Sequence, residues 1–119
     1  MKEDRAYLCH VRDAIARIEK YASVGKEEFL TQSHWQDAVI RQLEILGEAS
    51  KRISPALREN SPDVPWRRIC GLRDVLIHNY VGVDLDAVGA IVEVSIPQLR
   101  VAVEALLRLS DASSDPGSK

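Results

Sequence analysis

The sequence predicts an all-α protein, an antiparallel up-and-down helical bundle of four main helices with short extra turns. Three observations carry that prediction. Apolar residues recur at spacings of three and four in every long segment, no segment alternates apolar and polar residues as a half-buried strand would, and the breaks are short and rich in Gly, Pro, Ser, Asn and Asp. The chain has 119 residues, 45% hydrophobic and 29% charged, which suits one domain that buries its own core and excludes fibrous, disordered and disulfide-stapled classes.

The first helix is expected over residues 3 to 22, where Leu8, Val11, Ile15 and Ile18 form a stripe flanked by Arg5, Arg12, Asp13, Arg17 and Glu19. After the Ser23-Val24-Gly25 turn and a short Lys26-to-Leu30 segment, Ser33 and Gln36 spell a capping box, S-x-x-Q, at the start of a second helix reaching about Ile53. Its stripe of Trp35, Val39, Leu43, Leu46, Ala49 and Ile53, widened by Ala38 and Ile45, is broad enough to touch more than one neighbour. Gly47 within it costs helix stability unless close packing uses the missing side chain. Ser54-Pro55 ends that helix, and residues 60 to 65 are turn chemistry in which Pro65 suits a first helical turn. A third helix starts near Trp66 and carries Ile69, Leu72, Val75 and Leu76 up to Tyr80. Gly82 then breaks the chain and Asp84 caps a fourth helix, whose stripe runs Leu85, Val88, Val92, Ile96, Leu99, Val103 and Leu106, with a kink near Val94 imposed by Pro97. Residues 1–109 form the expected single domain, and 110–119 (SDASSDPGSK) read as a disordered tail.

Charge is distributed unevenly. There are 16 Lys and Arg against 18 Asp and Glu, a net −2 that argues against gripping nucleic acid over the whole surface. From Lys51 to Arg73, however, six bases (Lys51, Arg52, Arg58, Arg67, Arg68, Arg73) meet two acids (Glu59, Asp63), a local +4 that an anion should favour. Charge alone leaves open whether these cations share a face or are simply solvated. Cys9 and Cys70 lack paired metal-site spacing and read as buried free thiols. The charged opening MKEDRAY and the lack of a long apolar run point to a reduced, cytoplasmic setting with no membrane segment.

Residues 73 to 80 read R-D-V-L-I-H-N-Y. Arg73 offers a permanent forked cation for a phosphate oxygen, and His78 a group that takes and gives a proton near neutrality. Tyr80 adds a phenolic hydroxyl. These groups suffice for RNA cleavage without a metal, His78 activating a ribose 2′-hydroxyl while Arg73 stabilises phosphate charge. From the residues alone, a His that caps or packs at a helix C-terminus is the better reading.

The pattern R-x-x-x-x-H-x-Y, with polar Asp74 after the Arg, resembles the signature of the HEPN superfamily, specifically the HepT-like toxins. ILGEASKRI at 45 to 53 and DVPWRRICGLRDVLIHNY at 63 to 80 look like that family's two most recognisable blocks, and the resemblance covers about residues 4 to 109. It implies a dimerising helical bundle and a metal-independent ribonuclease needing no cofactor. It also implies the toxin of a toxin-antitoxin pair, with a cognate MntA-like minimal nucleotidyltransferase as antitoxin. Carried onto this chain, Arg73 and His78 become the catalytic pair and Tyr80 the position the partner adenylylates; Asp74 and Asn79 are candidate supporting residues.

Helical geometry gives a separate reason to expect a homodimer. At about 100° per residue, Arg73 and Tyr80 lie about 20° apart while His78 is about 140° from Arg73, so one straight helix cannot aim all three at one phosphate. Either the helix frays near His78 or two chains contribute groups across a twofold axis. His10 and His34 lack ligand partners and read as surface or capping residues. Trp35 and Trp66 suit packing better than base stacking, and Glu48 is open between solvent, interface and site roles. Two rival readings stay open: a non-catalytic helical dimer that docks or senses nucleotides for a nucleotidyltransferase, and a plain dimerisation bundle. Growth arrest on expression separates a toxin from either.

Overall fold

The computed structural model describes the backbone of residues 2–72 and 85–114 and the side chains of 3–25, 27–72 and 88–110. Every element among these residues is helical: α1 (Lys2–Ala22), α2 (Lys26–Thr31), α3 (Ser33–Lys51), α4 (Pro55–Arg58), α5 (Trp66–Cys70), α6 (Leu85–Ala90), a π-helical turn (Ile91–Ser95) and α7 (Ile96–Ser114). The protein is an all-α bundle, as the periodicities require.

The core is built from the stripes read in the sequence. Leu8, Val11, Ile15 and Ile18 of α1 meet Val39, Leu43 and Leu46 of α3 and Ile96, Leu99, Val103 and Leu106 of α7, all essentially inaccessible to solvent. Phe29 of α2 and Val64, Trp66, Ile69 and Leu72 around α5 extend the same cluster. Two polar contacts fix the directions. Asp4 at the start of α1 accepts from Ser54 N (2.8 Å) and Ser54 Oγ (2.7 Å) just past the end of α3. Glu19 near the end of α1 pairs with Arg100 near the start of α7 (3.5 Å). Helix α1 therefore runs antiparallel to both of its large neighbours.

Asp4 falls one turn before Leu8 on the apolar stripe and is 5% exposed. A buried carboxylate is tolerated because Ser54 satisfies both of its oxygens. The same hydroxyl accepts from Leu57 N (3.3 Å) as the N-cap of α4. One serine thus ends the α3 connection, starts α4 and holds α1.

Four sequence expectations change. The third helix, expected to run from Trp66 to Tyr80, stops at Cys70 with Gly71 as its C-cap, and residues 73–80 lie outside the described residues. Ser33 is the first residue of α3 and not its cap; Gln32 occupies that position without a side-chain bond. Gln36 turns back across the junction instead, donating from Nε2 to Phe29 O (3.0 Å) and Leu30 O (3.1 Å). The cause is that α2 ends only one residue earlier, leaving orphan carbonyls within reach. The tail expected from residue 110 gives way to helix as far as Ser114, and Ser110 is buried; residues 115–119 lie outside the described residues. Cys9 and Cys70 are free but only half-buried.

Pro97 does not end the last helix. Proline removes an N–H and crowds the carbonyl four residues earlier, here that of Glu93, and the chain accommodates this with the π turn Ile91–Ser95. Val94, where the sequence places a kink, lies within that turn. The breadth of the α3 stripe is used inside the chain: α3 packs against α1, α2 and α5. No helix among the described residues is long and apolar enough to cross a membrane.

Candidate functional site

The basic segment is carried by three elements. Lys51 and Arg52 close α3, Arg58 ends α4, and Arg67 and Arg68 lie on α5. The connection between α4 and α5 is held by Trp66, a buried residue whose Nε1 donates to Arg58 O (3.1 Å) and Ser61 O (2.9 Å). Asn60 Nδ2 donates to Ala56 O and Leu57 O, both at 3.3 Å, so the carbonyls that a short helix leaves unpaired are taken up locally. Gln98 Nε2 of α7 donates to Asp63 O (3.2 Å) and ties the same connection to the bundle. The corner is a fixed frame for its cations.

Within it, Arg58 is half-buried. Its Nη1 donates to Cys70 Sγ (3.4 Å), and its Nε is buried with no hydrogen-bond partner. Burial raises the Cys70 thiol above its usual range, and the positive charges of Arg58 and Lys51 offset part of that rise. Both cations are therefore close enough to act on one sulfur. Lys51, Arg52, Arg67 and Arg68 are exposed and form no ion pair or side-chain hydrogen bond with another described residue.

The sequence-predicted motif follows immediately. Leu72, buried in the core, is the last described residue before it. Arg73, Asp74, His78, Asn79 and Tyr80 lie outside the described residues, as do Gly82 and Asp84. What the structure places is the ground leading to them.

The other candidates sort plainly. His10 is exposed, with its ring 6.0 Å edge-on from Tyr7. His34 is exposed beside half-buried Trp35 at 4.8 Å. Trp66 packs as the sequence suggested, and its ring is too enclosed to stack on a base. Glu48 is half-buried on α3. Among the described residues no cluster of His, Cys, Asp and Glu could hold a metal ion. Sequence reasoning missed the Arg58–Cys70 contact, because nothing in a spacing of twelve marks a cation and a thiol as neighbours.

Residues 11–106 match the family described as Ribonuclease HepT-like. The chain is 40% identical over 106 residues to a Thermococcus cleftensis protein described as "Probable ribonuclease HepT", covering 88% of this chain and 96% of that one. It is 36% identical over 115 residues to a Methanocaldococcus jannaschii protein described as "Gamma-glutamylcyclotransferase and putative RNase". That match covers 96% of this chain but 52% of the relative, so the chain spans about half of that protein's length. No solved structure matches the chain significantly.

Proposed function

Because the chain belongs to the HepT-like ribonuclease family, we propose that it is a metal-independent endoribonuclease that acts as the toxin of a toxin-antitoxin pair. The observation that supports this reading is that the family match over 11–106 includes residues 73 to 80, where the sequence carries a complete R-x-x-x-x-H-x-Y. In the reaction, neutral His78 takes the proton of a ribose 2′-hydroxyl. The resulting oxyanion attacks the adjacent phosphorus, the P–O5′ bond breaks, the 5′-oxygen takes a proton from water while His78 gives its proton back to solvent, and the products carry a 2′,3′-cyclic phosphate and a 5′-hydroxyl. Arg73 stabilises the charge that grows on the phosphoryl oxygens. Asp74 and Asn79 serve to hold the pair in position.

Control in this reading falls to a nucleotidyltransferase partner. The Tyr80 oxygen attacks the α-phosphorus of ATP, pyrophosphate leaves, and an anionic phosphodiester is left two residues from His78, where it competes with substrate phosphate for Arg73. The test is cleavage of RNA by purified protein in excess chelator, with His78→Ala as the comparison. Loss of a positioned acid or base costs about 10²- to 10⁴-fold in rate. Cleavage that survives His78→Ala, or that chelator abolishes, would refute the assignment. Co-expression with the partner should add adenylyl mass to the peptide containing Tyr80 and suppress cleavage. Full neutralisation of unmodified Tyr80→Phe would mean that the partner acts by binding alone.

A further inference from the structure

We propose that the corner made by α4, the connection 59–65 and α5 is a phosphate-binding subsite for the backbone of single-stranded RNA, with Arg58 as its central cation. This rests on the nuclease reading above and adds a place on the protein where substrate is held outside the motif. Pro55, Arg58, Glu59, Pro62 and Trp66 line a surface cavity of about 420 Å³ there.

Arg58 is a cation without an anion. Its guanidinium donates to a neutral thiol, its Nε has no partner, and no described carboxylate pairs with it. Holding a charged group half-buried in that state is costly unless something negative completes it. On the elements either side of the cavity, Lys51 and Arg52 at the end of α3 and Arg67 and Arg68 on α5 are exposed and unpaired among the described residues. Cations spread over three elements suit a succession of phosphates along a strand better than one isolated anion. Pro55 and Pro62 give the cavity apolar walls against which a ribose can rest. Among the described residues Glu59 is the acid that lines the cavity, and it opposes an anion there. That opposition supplies the more informative variant.

The experiment uses the full chain carrying His78→Ala, so that RNA is bound but not consumed, and a labelled single-stranded RNA oligonucleotide titrated over a salt series. For single strands the slope of log K against log salt is about −0.7 per phosphate neutralised. Arg58→Gln should weaken binding and make the slope shallower by about 0.7. Because Arg58 also touches Cys70, Glu59→Lys provides a variant that leaves that contact intact. It should tighten binding several-fold and steepen the slope. Glu27→Lys, the same charge change on exposed α2, should do neither. Equal effects at Glu59 and Glu27, or none at Glu59, would overturn the subsite. Displacement of the RNA by inorganic phosphate at equal phosphate concentration would overturn it in favour of a free-anion site. If the parent chain binds the RNA while the corner variants match it, the subsite fails and the nuclease reading stands. A wild-type chain that neither binds nor cleaves RNA defeats the nuclease reading itself.

Discussion

At the scale of single residues, a few polar side chains sit within an otherwise apolar interior. Asp4 and Ser54 are 50 positions apart and share two part-buried hydrogen bonds, in one of which the carboxylate accepts from the Ser54 backbone N–H. Removing an acceptor from a buried donor costs about 1–3 kcal/mol. Asp4→Ala should therefore lower the free energy of unfolding by about that amount in urea titration. Ser54→Ala, which also removes the α4 cap, should cost at least as much, and the double variant should cost less than the sum. Additive losses would mean that the pair is not coupled. Cys70 makes a pH-dependent case. Burial raises its thiol, so the folded protein holds that proton more tightly than the unfolded chain. The resulting stability is complete below the ordinary thiol range and is lost as pH rises through the folded value. Wild type should lose more stability than Cys70→Ser on alkaline titration; parallel profiles would contradict this.

At the scale of elements, what could be read from the sequence was whatever periodicity encodes. Leu8, Val11, Ile15 and Ile18 are buried because a helix must turn one stripe inward. Pro97 disturbs the last helix because its chemistry is local. Contacts between elements were not legible, since they depend on which helix ends happen to meet. Asp4 on an apolar stripe reads as a charge on the wrong face until Ser54 is placed beside it, and Gln36 reads as a capping-box partner until α2 is seen to stop at Thr31. Arg58 likewise reads as one more solvated cation until its contact with Cys70 is known. The motif itself was legible as chemistry, and with the block at 45 to 53 it carried the family resemblance. The corrected α2–α3 junction separates two outcomes. A true N-cap serine costs about 0.5–2 kcal/mol when replaced by alanine, whereas here Ser33→Ala should be nearly neutral. Gln36→Ala should cost about 1 kcal/mol by releasing two carbonyls. The reverse order in thermal or urea unfolding would restore the capping box.

For the whole molecule, one short motif has to assemble a site from groups that a regular helix points apart. The broad stripe of α3 does not require a partner, because α1, α2 and α5 cover it within the chain. The expectation of a homodimer therefore rests on helical geometry, about 140° between Arg73 and His78 on a regular helix, and on the family. A symmetric dimer would bring two +4 segments to one region, which offsets the net −2 of each chain when RNA approaches. Mass in solution should be twice that of the chain. The more specific consequence concerns mixing. If each site draws Arg73 from one protomer and His78 from the other, Arg73→Ala and His78→Ala homodimers are both inactive, yet a heterodimer contains one site with both groups intact. Refolding the two variants together should then restore up to about a quarter of wild-type cleavage, since random pairing makes half the dimers mixed and each mixed dimer has one complete site of two. If instead each chain builds its own site, every site in the mixture lacks one group and no activity returns. Recovery rising with the fraction of mixed dimers would establish a shared site. Its absence, in a mixture shown by mass to have exchanged subunits, would assign the whole site to one chain and leave the helix near His78 to bring the groups together.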